Sequence, residues 1–376
     1  MKKQIEDINL RLIVFDSANE LGGKLDEHLL DLYHLDKEKN TFIVPIKQNY
    51  FEDGHFKVEI METVRGKDMF MITDIGNYSL EYKMHGFINH TSPNDLMQQL
   101  KDGIGACCCH AKNINVIMPL LYDGRQHRRN TRENLACGMM LHELDTMRRV
   151  KSFITFDAHD QGVEHAIHDM EFDNFFPTNQ ILEQMINDLS MNRLKKLVFV
   201  APDNGAVGRR NVYLNSFNSK NIHREAGSFY KQRDYNNFVD GKYPVIAHDY
   251  SGMRDLKGYT AIVSDDMISS GGSMFDVIDE LNKLGCKYIY LVTTFALFTK
   301  GIDKFEEYYK LKKFDGLYTT NLSYIPEEYK KAKWLHIADC SELLAQIVYN
   351  IHNDLSIHEI LKDKSLPVKL IEEKLK

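Results

Sequence analysis

Residues 260 to 274 read TAIVSDDMISSGGSM, an apolar run that ends in two adjacent carboxylates, Asp265 and Asp266, and then turns into small hydroxyl and glycine residues. That order of side chains answers two needs of a phosphorylated sugar. Vicinal hydroxyls want acceptors, which the carboxylates supply. A phosphate dianion wants backbone N–H groups and hydroxyl donors, which Ser269, Ser270, Gly271, Gly272 and Ser273 offer where the loop enters a helix. Glycines there admit positive φ and close approach of the backbone. The bland alternative is a strand followed by an acidic, flexible turn with serine capping the next helix.

The elements that would position such a loop alternate along the chain. Short apolar runs occur at 114–122, 152–159, 196–203, 260–266, 288–297 and 333–339. Between them lie helical periodicities such as NLACGMMLHELDTMRRV, QILEQMINDLSMNRL and SMFDVIDELNKLG; in the last, Phe275, Ile278 and Leu281 share a face and Gly285 stops the helix. Strands that alternate with helices and are nearly continuous in apolar residues predict parallel sheets covered on both faces, an α/β fold. Ligands of such sheets bind beyond the carboxyl ends of the strands. Asp157, His159, Asp203, Asp265 and Asp266 gather at those ends.

The bulk composition sets limits. A chain of 376 residues, 43% hydrophobic and 27% charged, has material for two domains with ordinary cores. A net charge of -7 argues against a nucleic-acid binder. No apolar stretch is long enough to span a membrane, and the start MKKQIEDINLRLIVF is not expected to be a signal peptide. Six unpaired-looking cysteines suit a reducing, cytoplasmic setting. ACCCHAKN invites a metal reading, but adjacent cysteines cannot converge on one zinc, so Cys107, Cys108 and Cys109 read as small buried residues at a helix end.

IVSDDMISSGGSM resembles the phosphoribosyl-diphosphate signature of the type I phosphoribosyltransferase fold. The rest of the chain resembles, in order from about residue 10 to 360, the ribose-phosphate diphosphokinases (phosphoribosyl-pyrophosphate synthetases). The segments that carry the likeness are FEDGH with VRGKD, VIMPLLYDGRQHRR, TFDAHDQG, VAPDNGAVGRR, YKQRDY and ELLAQIVYNIHNDLSI. The departures are local: His55 stands where the family usually has Glu, His127 and Ser269 where it has Asp, and Ala206 where it has Gly.

The resemblance implies two tandem type I phosphoribosyltransferase-like domains, each a mostly parallel sheet flanked by helices. The expected limits are 1–172 on the ATP side, joined by a closing helix at 341–376, and 173–340 on the ribose 5-phosphate side. It implies diphosphoryl transfer from ATP to ribose 5-phosphate with Mg²⁺, and a homo-oligomer. Phe51, Asp53, Arg125, Gln126 and Arg128 or Arg129 would bind ATP, His159 and Asp203 the metal, and residues 265, 266 and 269–273 the sugar phosphate. Lys231 and Arg233, two apart in an extended loop, would clamp the migrating phosphates. Two alternatives stay open: a phosphoribosyltransferase using the same sugar site, and a catalytically weak partner of an active synthetase.

Overall fold

The structure is a computed structural model that describes residues 4–129, 132–217, 222–233, 245–357 and 366–374, apart from the side chains of 231–233 and 245–248. Its described residues fall into two compact units. One lies within Met1–Phe176, Asn321–Ile325 and Asp339–Lys362; the other lies within Pro177–Thr320, Pro326–Ala338 and Asp363–Lys376.

The first unit opens with β1 (Leu10–Val14) and α1 (Asn19–Leu32), continues through the hairpin β2 (Ile46–Tyr50) and β3 (Phe56–Ile60), and reaches β4 (Asp68–Ile72). A second hairpin, β5 (Glu81–Met84) and β6 (Phe87–His90), precedes α2 (Pro93–Cys107), β7 (Asn113–Ile117), α3 (Ala136–Thr146), β8 (Val150–Phe156) and β9 (Glu171–Phe175). The sheet runs β1-β4-β7-β8-β9 with every pairing parallel. All five residues of β4, DMFMI, are buried, as a strand covered on both faces requires. The two hairpins show the opposite pattern: β2 and β3 alternate partly buried with exposed positions, so only one face packs. Local signals start α2: Ser92 accepts from Asp95 N while Asp95 accepts from Ser92 N, with Pro93 in the first turn.

The second unit holds α4 (Thr178–Asp188), α5 (Met191–Leu194), β10 (Lys196–Ala201), α6 (Val207–Ser216), β11 (His223–Arg233), β12 (Val245–Ser251) and β13 (Thr260–Ile268). After these come α7 (Gly272–Lys283), β14 (Tyr288–Ala296), α8 (Asp303–Lys310), β15 (Gly316–Thr320) and β16 (Leu335–Ala338). Its sheet runs β12-β11-β10-β13-β14-β15-β16, parallel throughout except for the antiparallel β11–β12 pair. Strand order therefore proceeds one way from β10 to β11 and the other way from β13 to β16. The reversal falls between β10 and β13, and the crevice at their carboxyl ends is where such sheets bind ligands.

Two sequence expectations are corrected. The segment 341–376 is not one closing helix. Helix α9 (Ser341–His352) packs on α1 in the first unit, whereas α10 (Leu366–Lys374) packs on α4 in the second, with Ile371 buried beside Ile181, Met185 and Ile186. The run QILEQMINDLSMNRL likewise divides at Ser190, whose extended backbone (φ -68°, ψ 152°) starts a separate short helix.

Candidate active site

Strand β13 is the middle strand of its sheet, and its apolar half, Thr260–Ser264, is wholly buried. Asp265 and Asp266 interrupt the apolar run towards its carboxyl end, and the strand continues past them to the buried Ile268. Asp265 Oδ1 accepts from Asp266 N at 3.0 Å, and Asp266 Oδ1 accepts from Met267 N at 2.8 Å. Asp266 is 3% exposed. Burial first, then the neighbouring carboxylates of Asp266 and Asp203, push the Asp265 carboxyl well above the usual carboxylate range, and Arg209 acts against them.

The loop behind is built to bring a helix start forward. Gly271 caps α7 with φ +77°, and a Cβ there would come within 2.6 Å of the Phe305 ring. Glycine is thus required on two counts. The first turn of α7 carries no acidic side chain, and Gly272 and Ser273 are exposed, both of which an anion site at a helix start requires. Ser269 holds the loop: its Oγ lies 3.2 Å from Thr299 Oγ1, and its carbonyl accepts from Thr299 N at 3.0 Å. Ser270 is half-buried beside it. Asp203 follows β10 and accepts from Ala206 N at 3.2 Å, which starts α6. Residues 203, 265, 266 and 269–273 thus belong to one sheet edge.

One residue was missed by motif reading. Arg209, on α6, places Nη1 3.8 Å from Asp265 Oδ1. It lies within the segment VAPDNGAVGRR, and its pairing with a strand some 50 residues on is a tertiary fact that spacing alone does not carry. Its neighbour Arg210 is structural, with Nη1 donating to Gly227 O at 3.0 Å and Ser228 Oγ at 2.8 Å.

Lys231 and Arg233 lie at the end of β11, not in a loop. Lys231 faces His248 and Arg233 faces Val245 across the antiparallel pair, with a register shift between Gln232 and Arg233. Their side chains lie outside the described part of the structure, as do residues 234–244 that follow them.

In the first unit, β8 ends at Phe156 and Asp157 takes a positive φ of 43°, 3% exposed, a strained turn of the kind found at functional sites. The turn sends His159 outward, exposed, while Ala158 N is held by Asn174 Oδ1 at 3.0 Å. Arg125, Gln126, Arg128 and Arg129 are exposed on the loop after β7. His127 stands among them, half-buried, its ring 5.3 Å from that of His159.

Phe51 and Asp53 are on the tip of the β2–β3 hairpin. Gly54 at φ +90° closes the turn, Phe51 is 53% exposed, and Asp53 is kept below the usual carboxylate range by hydrogen bonds from the His55 backbone and side chain. Glu52, Asp53, Lys83, His85 and Gly86 line a cleft between this tip and the second hairpin.

Among the described residues no group of three His, Cys, Asp or Glu is arranged around one point as a metal cage. Magnesium, which keeps water and phosphate oxygens in most of its shell, needs none; His159 is exposed in the first unit and Asp203 half-buried in the second. The cysteine reading is corrected in part: Cys107 is buried at the end of α2, but Cys108 is half-buried and Cys109 exposed.

Parallel sheets with acidic strand ends, a glycine-capped phosphate-type loop and a basic loop define a protein of the phosphoribosyltransferase type. The family models agree: residues 10–147 match the N-terminal domain of ribose phosphate pyrophosphokinase, and residues 173–330 match the phosphoribosyl transferase domain. The chain belongs to the ribose-phosphate pyrophosphokinase family, the phosphoribosyl-pyrophosphate synthetases. It is 24% identical over 325 residues to a ribose-phosphate pyrophosphokinase of Gloeobacter violaceus, covering 85% of this chain and 86% of that one. With the Synechococcus elongatus protein of the same name it is 23% identical over 364 residues, covering 94% and 100%. The crystal structure of phosphoribosylpyrophosphate synthetase from Mycobacterium smegmatis shares the fold, with a TM-score of 0.71 at 20% identity over 92% of this chain and 99% of that one.

Proposed function

We propose that the chain transfers the diphosphoryl group of ATP to the anomeric hydroxyl of ribose 5-phosphate, yielding 5-phosphoribosyl diphosphate and AMP for nucleotide synthesis. The observation that carries this reading is the Asp265–Asp266 pair at the carboxyl end of a central strand, directly ahead of a glycine-capped helix start without acidic side chains. The two carboxylates accept the vicinal hydroxyls of the sugar. The N–H groups and hydroxyls of residues 269–273 hold its 5-phosphate.

Substitution at a phosphorus depends on alignment and on neutralising charge, more than on covalent chemistry by the protein. Arg125, Gln126 and Arg128 hold the triphosphate, for which the planar guanidinium is suited. Phe51 offers an aromatic face and Asp53 an ionised acceptor to an adenine, in a neighbouring subunit of a homo-oligomer. Lys231 and Arg233 neutralise the migrating group. His159 in the first unit and Asp203 in the second would each offer Mg²⁺ a ligand, directly or through water, and a bound ion would supply charge neutralisation at the phosphates. Unpaired thiols at Cys107, Cys108, Cys109, Cys137, Cys286 and Cys340 suit a cytoplasmic setting. No described helix is long and apolar enough to cross a membrane.

Phosphorus NMR of ribose 5-phosphate incubated with Mg·ATP and the chain tests the reading. A new coupled diphosphate signal on the sugar supports it; transfer of a single phosphoryl group, with ADP as the other product, would refute it.

A further inference from the structure

We propose that the β5–β6 hairpin is a positioning element of the nucleotide site. It holds the tip of the β2–β3 hairpin in the shape that presents Phe51 and Asp53 to an adenine, with Tyr82 and Met84 as positioning residues. The inference rests on the nucleotide role given above to Phe51 and Asp53.

That tip needs support. A two-stranded hairpin by itself is marginally stable in water. The first hairpin is anchored as far as Tyr50, the last residue of β2, whose hydroxyl accepts from Nε2 of the buried Gln99 on α2 at 2.6 Å. Beyond Tyr50 the chain turns on itself: Phe51 N donates to His55 O at 2.8 Å, and Gly54 N donates to Phe51 O at 2.9 Å.

The second hairpin meets this turn at three points. The Tyr82 ring stacks on that of Tyr50, with centroids 4.0 Å apart and planes 11° from parallel. Met84 lies over Gly54, where a Cβ would come within 2.5 Å of Met84 Sδ. His85 N donates to Glu52 O at 2.9 Å. This last bond follows from the turn of β5–β6. Met84 pairs with Phe87, so His85 and Gly86 form a two-residue loop, with φ of 51° and 83°. Positive φ at both positions is the requirement of a type I′ turn, whose twist matches that of the strands. The N–H of its first residue takes no part in the strand ladder and can serve another segment.

The supported positions are 50, 52 and 54. They alternate with 51 and 53, so the contacts fix the backbone of the tip while Phe51 stays 53% exposed and Asp53 exposed. A brace that occupied Phe51 or Asp53 would compete with the nucleotide; this one leaves both side chains free to receive it. A loop already held in its binding shape spends less of its interaction energy on ordering when the ligand arrives.

The test uses the full chain with Tyr82→Ser, which removes the stacked ring, and Tyr82→Phe, which keeps it. Hydrogen exchange of the 51–55 backbone is followed without ligand, and KM is measured separately for Mg·ATP and for ribose 5-phosphate. Tyr82→Ser is expected to speed exchange at the tip and to raise the KM for Mg·ATP roughly ten-fold, the scale of ordering one or two loop side chains. The KM for ribose 5-phosphate and kcat should stay within about two-fold of the parent, and Tyr82→Phe should restore all values. A KM for Mg·ATP that does not change, or one that rises together with that for ribose 5-phosphate, would overturn the inference. So would a rise without faster exchange at the tip, because Tyr82 would then act on the nucleotide directly. If the parent makes no sugar diphosphate, the proposed reaction fails, and calorimetric titration with Mg·ATP replaces the kinetics. Weaker binding with faster tip exchange in Tyr82→Ser would then leave the brace standing, and unchanged binding would remove it.

Discussion

Arg209 Nη1 lies 3.8 Å from Asp265 Oδ1, a contact that ties helix α6 to the carboxyl end of strand β13. Within the carboxylate group of Asp203, Asp265 and Asp266 it is the cation that opposes the upward shift of Asp265. Without it, burial and like charge would favour a protonated Asp265, a poorer acceptor for sugar hydroxyls.

Arg209→Met keeps the packing volume and removes the charge. The expected result is a KM for ribose 5-phosphate raised about ten-fold at neutral pH, equivalent to about 1.4 kcal/mol of lost binding, with a smaller fall in kcat. Steady-state kinetics with the sugar phosphate varied checks this. An unchanged KM would remove Arg209 from the site.

Gly271→Ala puts a Cβ at a position with φ +77° and 2.6 Å from the Phe305 ring. The left-handed backbone alone costs about 1–2 kcal/mol for a residue other than glycine. The helix start should recede from the phosphate, so sugar-phosphate affinity should fall by at least ten-fold while thermal stability falls by a few degrees. Titration calorimetry with ribose 5-phosphate, alongside thermal unfolding, separates the two effects.

Asp74 is fully buried, and its carboxylate accepts from Ser323 Oγ at 2.9 and 3.1 Å and from Tyr324 N at 2.6 Å, pinning Asn321–Ile325 into the first unit. Burial raises its pKa from 3.8 to about 6, against the hydrogen bonds that lower it. A carboxyl raised in the folded state binds its proton more tightly there than when unfolded. Its contribution is therefore fully present below about pH 4 and is lost as pH rises through about 6. Relative to Asp74→Asn, the parent should lose about 3 kcal/mol of stability across that window and nothing further above it. Denaturant unfolding of both chains at several pH values measures the difference. A difference that does not vary with pH would contradict the assignment.

Lys231→Ala should lower kcat by about a hundred-fold or more, the scale seen when one charge-stabilising donor is removed, with ribose 5-phosphate binding nearly intact. Single-turnover rates and sugar-phosphate titration check the two halves of that statement. Turnover near that of the parent would take the lysine out of the phosphate clamp.

What was legible in the sequence follows from how local each feature is. Strands such as VIMPLLY, KLVFVAPD and TAIVSDD announce themselves because burial on both faces demands continuous apolar residues. The structure trims and extends them at their ends: β7 stops at Ile117, before Pro119, and β13 runs on to Ile268. Strands β1 and β4 and the two hairpins were not legible. LRLIV and DMFMI are too short to stand out, and β2 and β3 are half-exposed ribbons in polar sequence. Gly271 and the paired carboxylates were readable because a phosphate loop is a contiguous motif. Arg209 beside Asp265, Ser323 on Asp74, and His127 beside His159 are contacts between distant segments, which spacing cannot disclose. The tail divided for the same reason: α9 and α10 have ordinary helical periodicity, and only packing decides that one joins α1 and the other α4.

The most direct measurement is incubation of the purified chain with Mg·ATP and ribose 5-phosphate, following AMP and sugar diphosphate together. The account predicts equimolar appearance of both, abolished when the metal is chelated and strongly reduced in Asp265→Asn. Absence of both products, while ribose 5-phosphate still binds, would contradict it.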